Sequence, residues 1–119
     1  DNSSPTERLK AVNISNEIRS VDERVVNALL KTLNNDSNVN VRLAAVDALT
    51  SHANNPAARS GLINSIAQQE SPIVQAALAD AMLALQERQS VDEFKKLLSR
   101  DELDSNVRNK LENTIAELI

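Results

Sequence analysis

His52 is the only histidine in this 119-residue chain, and there is no cysteine. Thiolate metal sites, disulfides and cysteine nucleophiles are therefore excluded. A lone imidazole would need carboxylate or further imidazole ligands to hold a metal, and a nucleophile beside it to catalyse acyl transfer. No spacing in the chain supplies either. His52 follows Ser51 near a helix C-terminus, where its ring complements the helix dipole. Asp47 and Asp80 are the other pair with chemical potential, 33 residues apart. Acid–base work by two carboxylates needs environments that push their pKa values apart, through desolvation or a second charge. With one Phe, no Trp and no Tyr, the chain has little to build such a pocket from. No catalytic residue, metal ligand or cofactor is expected, and the chain reads as a non-enzyme.

Composition narrows the partner class in the same way. Thirteen basic and 17 acidic residues give a formal charge of −4, opposite to the basic footprint that binding a phosphate backbone requires. Stacking platforms for single-stranded bases are missing along with the aromatics. No nucleic acid is expected, and no stretch has the 18 or more apolar residues of a membrane span. The chain begins at Asp1 without Met, which reads as a mature protein or an excised piece. It would be a soluble segment, cytoplasmic or periplasmic, and a monomer.

The elements that position these residues form an internal repeat. Val41–Leu49 (VRLAAVDAL) recurs 33 residues on at Val74–Met82 (VQAALADAM), and again at Val107–Ile115 (VRNKLENTI). A further copy, Glu7–Ser15, lies 34 residues before the first. In register, Arg8, Arg42 and Arg108 align with Gln75. Asn13, Asp47, Asp80 and Asn113 align five residues later. Ala11, Ala45, Leu78 and Leu111 fill one apolar column; Ile14, Ala48, Ala81 and Thr114 fill another. Self-similarity at a fixed spacing is the mark of a stacked array.

Within each copy the apolar residues fall at i, i+4, i+7 and i+8, as in Val41, Ala45, Ala48 and Leu49, one face of an α-helix. Amphipathic segments lie between the copies: Val26, Leu29, Leu30 and Leu33; Leu62, Ile63 and Ile66; Val91, Phe94, Leu97 and Leu98. Ser4-Pro5 and Ser71-Pro72 read as N-cap and first helical position, Ser90 with Glu93 as a capping box, and Asn54-Asn55-Pro56 as a break. These signals predict seven helices, about 5–19, 22–34, 38–52, 56–69, 72–88, 90–99 and 105–118. The expected fold is all-α, a right-handed α-α superhelix in a single domain. A leading half-repeat at 1–20 precedes repeats at about 21–53, 54–88 and 89–119. Small residues at Ala44, Ala45, Ala48, Ala76, Ala77 and Ala81 would let second helices approach closely, with Gly61 serving the same purpose on a first helix.

The pattern D-x-x-x-x-V-R-x-x-A-x-x-A-L, from Asp36 through Val41-Arg42 to Ala48-Leu49, resembles the HEAT repeat. The period is short for that family, but the T-P-L-H signature of ankyrin repeats is absent, as is the Trp/Tyr pattern of tetratricopeptide repeats. The chain looks most like the short HEAT variety of bacterial proteins. It also resembles the HEAT-containing tails of bacterial membrane anti-sigma regulators. The resemblance implies a structural polar ladder between repeats, with Asp36 beside Arg42, Glu102 beside Arg108, and the neutral pair Gln69 and Gln75 in the middle. HEAT-like DNA glycosylases use aromatic and basic residues that this chain lacks.

In such a solenoid the second helices line the concave face, where partners sit. Asn13, Asp47, Asp80 and Asn113 form the candidate binding column there. A protein or peptide of basic or amphipathic character would suit the two Asp residues. The same column could simply solvate a helix face. The implied function is a non-catalytic interaction or scaffolding module; the alternatives are a structural or sensory tail of a larger membrane-anchored regulator and, more remotely, a small enzyme.

Overall fold

Helices in this chain start where a short polar side chain can take up the free N–H groups of a first turn. The computed structural model describes residues 22–119, and four such starts lie within it. Asn38 Oδ1 accepts from the backbone N–H groups of Asn40 (2.8 Å) and Val41 (3.3 Å). Asn55 Oδ1 accepts from Ala57 at 2.8 Å, with Pro56 at the first helical position. Ser71 Oγ accepts from Val74 at 3.4 Å ahead of Pro72. Asp104 Oδ1 accepts from Asn106 (2.8 Å) and Val107 (3.1 Å).

The four helices they open are α2 (Val39–Ser51), α3 (Pro56–Ser65), α4 (Pro72–Ala84) and α6 (Ser105–Leu118), with α1 (22–35) before them and α5 (Val91–Leu98) between α4 and α6. A 3₁₀ turn, Ile66–Gln68, extends α3, and another, Arg88–Ser90, leads into α5. No strand occurs among the described residues. The fold is an all-α helical solenoid. The first expected helix, with Arg8, Ala11, Asn13 and Ile14, lies outside the described residues.

Two boundaries differ from expectation. The helix expected over 72–88 stops at Ala84 because Gln86 adopts a left-handed φ of 53°. The Gln86 N–H then donates to Leu83 O (3.0 Å) and the Glu87 N–H to Met82 O (2.9 Å). This is a Schellman ending, normally reserved for glycine. The expected Ser90–Glu93 capping box does not form. Ser90 already has helical backbone angles, is fully buried, and its hydroxyl donates back to Glu87 O at 2.6 Å. Glu87 opens the preceding turn instead, accepting from the Gln89 N–H at 3.2 Å, and Glu93 pairs with Lys96 at 2.7 Å.

Packing follows the alternation of first and second helices. α2 packs on α4 and α4 on α6, while the 3₁₀ end of α3 packs on α5. Two layers result, stacked along one direction, and the extents are 63 × 32 × 17 Å. The sequence columns are the burial columns: Ala45, Leu78 and Leu111 are buried, as are Leu49, Met82 and Ile115. Val26, Leu33, Leu62, Ile66, Phe94 and Leu97 close the core from the first helices. Burying a Leu-sized side chain stabilises by roughly 1.5–3 kcal/mol, so these columns hold the repeats together.

Gly61 marks a close approach in the first-helix layer. A β-carbon there would lie 2.9 Å from Leu30 Cγ and closer still to both δ-carbons. Two expectations need correction. Val74 and Val107 are buried but Val41 is 41% exposed, in the first turn of α2 beside the exposed Asn40. Ala44 is exposed rather than packed; it lies three residues before Asp47 and shares its outward face.

Candidate interaction face

The second helices set an outward stripe once their apolar columns are buried. On α2, burial of Ala45, Val46 and Leu49 turns Asp47 to solvent. On α4, burial of Leu78, Ala79, Ala81 and Met82 leaves Asp80 exposed. On α6, Leu111, Thr114 and Ile115 turn inward and Asn113 outward. Three members of the expected column therefore share an exposed position on successive stacked helices. Asn13 lies outside the described residues.

Asp80 is not a free carboxylate. Lys110 Nζ of α6 lies 2.8 Å from its Oδ1, joining two second helices. Both side chains are substantially exposed, so the pair contributes about 0–1 kcal/mol to stability. Its larger effect is local, offsetting one negative charge on the face. The pairing has a sequence rationale: Lys110 stands one helical turn before Asn113, the repeat equivalent of Asp80. Around the pair runs an open groove of about 420 Å³, walled by Asp80 and Leu83 of α4 and by Asn106, Asn109, Asn113 and Glu117 of α6. Amide and carboxylate groups dominate it. Such a surface can hydrogen-bond a polypeptide and attract a positive charge.

The polar ladder is built differently from the pairing that the resemblance implied. Asp36 and Arg42 form no ion pair, nor do Glu102 and Arg108; the ion pairs among the described residues are Arg59–Glu87, Lys96–Glu93 and Lys110–Asp80. Asp36 Oδ1 instead accepts the Asn38 N–H at 2.8 Å. The arginines turn to backbone carbonyls at the ends of the first helices. Arg42 Nε donates to Leu33 O at 3.0 Å. Arg108 donates to Leu98 O and Arg100 O, each at 2.8 Å. Gln75 does the equivalent in the middle repeat, its Nε2 donating to Gln69 O at 2.9 Å. The physical reason is the helix terminus itself. Its last carbonyls lack intrahelical partners and carry partial negative charge, which a guanidinium fork answers without an acidic side chain.

Gln69 is the hub of this network. Fully buried, it accepts from the Arg42 guanidinium through its side-chain oxygen, and its Nε2 lies 3.4 Å from Asn34 Oδ1. Its main-chain oxygen receives Gln75 and also Arg100 Nη1 at 2.8 Å. Arg100 donates in addition to Ala67 O. The neutral middle repeat is thus where arginines from both neighbouring repeats converge, and a third cation at position 75 would crowd them. Sequence reasoning missed Arg100. The available signal was its column, which holds Asn34 and Ala67 in the other repeats. A tie within the middle repeat, Arg59 to Glu87 at 3.0 Å, was also missed.

His52 caps the end of α2 through its backbone, its N–H donating to Leu49 O at 3.0 Å. No group of three or more His, Asp or Glu side chains able to hold a metal occurs among the described residues. No described helix is long and apolar enough to cross a membrane.

Comparison with known proteins bears on the array as a whole. The family model for HEAT repeats matches residues 1–82 and, in an overlapping register, 26–116. No curated protein and no solved structure matches significantly, so the resemblance to anti-sigma regulator tails has no relative behind it.

Proposed function

The chain belongs to the HEAT-repeat family, and from that premise we propose that it is a non-catalytic module that binds another polypeptide along its second-helix face. HEAT arrays commonly serve as protein-interaction scaffolds, because stacked repeats present a long continuous surface. The single observation that carries the reading is the exposed alignment of Asp47, Asp80 and Asn113 on α2, α4 and α6. Beside it lies the amide- and carboxylate-lined groove between α4 and α6.

The partner this face suits is basic or amphipathic. Asp47 has no ion-pair partner among the described residues, and Asp80 shares its charge with Lys110. A cationic side chain arriving at the groove would compete with Lys110 for Asp80. Exposed charge pairs exchange partners at little cost.

The test is affinity capture with wild type beside Asp47→Arg/Asp80→Arg, circular dichroism first establishing that the double variant is folded. A partner held by the wild type and lost by the folded variant supports the second-helix face. A partner held equally by both moves binding to another surface.

A further inference from the structure

A second cleft lies at the opposite end of α4, where α4 begins beside the α5–α6 turn. It spans about 470 Å³ and is lined by Glu70, Gln75, Glu102, Asp104 and Arg100, with Pro72 and Leu103 adding apolar surface. Gln75 is 97% buried, by its 3% exposure. Its Nε2 is committed to Gln69 O at 2.9 Å, which fixes the orientation of the amide. The Oε1 atom accepts from no group among the described residues. A buried carbonyl oxygen without a donor is costly, by the full desolvation of the group. An orphan acceptor lining a cleft therefore marks a place for an incoming N–H.

The surrounding charge says what kind of N–H. Arg100 donates from each terminal nitrogen to the Gln69 and Ala67 carbonyls, which anchors its guanidinium to the fold through two of its five N–H groups. Asp104 uses one oxygen as the cap of α6. Glu70 and Glu102 are exposed at the rim and pair with no cation among the described residues. Three carboxylates against one committed guanidinium leave the cleft negative.

We propose that this cleft receives an arginine side chain of a partner polypeptide, its guanidinium donating to Gln75 Oε1 and to the Glu70 and Glu102 carboxylates. Five donors in a planar fork can reach an acceptor at the base and two at the rim together, which a compact ammonium group does less well. The cleft shares no lining residue with the groove around Asp80 and Lys110. It stands whether or not the second-helix face binds anything.

The experiment is a ¹H–¹⁵N correlation titration of the full chain with the blocked peptide acetyl-Gly-Arg-Gly-amide, the Gln-for-Arg peptide serving as control. Saturable shifts of the Gln75 side-chain amide and the Leu103 backbone amide are expected with the arginine peptide alone. Glu70→Gln/Glu102→Gln, which changes only exposed groups, should weaken that binding roughly tenfold. Equal shifts from both peptides, or affinity indifferent to the double variant, would overturn the proposal. So would shifts confined to Asp80 and Asn113, which would assign the peptide to the second-helix face. Free L-arginine binding as tightly as the peptide would make the ligand a small molecule and overturn the polypeptide assignment.

Discussion

Arg42, in the first turn of α2, donates to the side-chain oxygen of Gln69, which lies just past α3 in the following repeat. The contact ties one repeat to the next at a fully buried amide. Cutting the amide away strands an arginine donor and the Asn34 oxygen together. Gln69→Ala is therefore expected to lower stability by about 1–3 kcal/mol. Asp36→Asn, which keeps an oxygen for the Asn38 N–H, should cost under about 0.5 kcal/mol. Urea denaturation of the two variants beside wild type checks the contrast. Equal losses would restore the acid–base pairing that the structure replaces.

Gly61 of α3 faces Leu30 of α1 with no room for a β-carbon between them. A methyl at position 61 would collide with the whole isobutyl end of Leu30. Gly61→Ala should destabilise by roughly 1–3 kcal/mol through overpacking, despite the better helix propensity of Ala. Adding Leu30→Ala removes the collision, so the double variant should be more stable than the sum of the single losses. Strict additivity in thermal or urea melts would show that the close approach is not what selects glycine.

Gln86 holds a left-handed backbone at the end of α4. Its Nε2–Leu83 O bond, at 3.0 Å, is exposed and offsets little of the steric cost of a β-carbon there. Gln86→Gly should raise stability by about 0.5–1 kcal/mol, a rise of a few degrees in Tm. A fall in Tm would mean that the side-chain bond outweighs the backbone strain.

Glu93 separates the two accounts of how α5 starts. A capping box would make Glu93→Gln or Ser90→Ala disturb the same helix end. In the structure the half-buried Glu93 pairs with the exposed Lys96 one turn along the helix. Glu93→Gln should therefore cost no more than about 0.5 kcal/mol, with no change in the exchange protection of the Ser90 amide. A loss near 1 kcal/mol would return the cap to Ser90.

Lys110 shields Asp80 on the second-helix face. Lys110→Ala should change stability by less than about 0.5 kcal/mol while strengthening capture of a basic partner, most visibly at low salt. Weaker capture would show that Lys110 itself contacts the partner.

Much of this protein was legible in the sequence because repeats write their packing as columns. The 33-residue recurrence assigned Ala45, Leu78 and Leu111 to one buried layer and Asp47, Asp80 and Asn113 to one exposed face. Helix periodicity and the stacking requirement suffice to place both. Asn38, Asn55, Ser71 and Asp104 open helices through local hydrogen bonds that need nothing distant, and all four of those starts stand within one residue of the expected boundaries. The all-α solenoid follows from such local and periodic terms.

Only the tertiary structure decided where the long polar side chains go. The spacing of Asp36 from Arg42, and of Glu102 from Arg108, is compatible with an ion pair. The stacked helices bring unfilled carbonyls closer to each guanidinium, and an arginine with five donors satisfies those first. Gln69, unremarkable as a residue type, became the junction because Arg42 and Arg100 converge on it from opposite sides. The same holds for the orphan oxygen of Gln75 and for the left-handed Gln86. Each depends on atoms distant in sequence or on a backbone angle that no residue pattern specifies. Periodicity determines which face is buried; what a flexible polar side chain meets there is set by the three-dimensional stack.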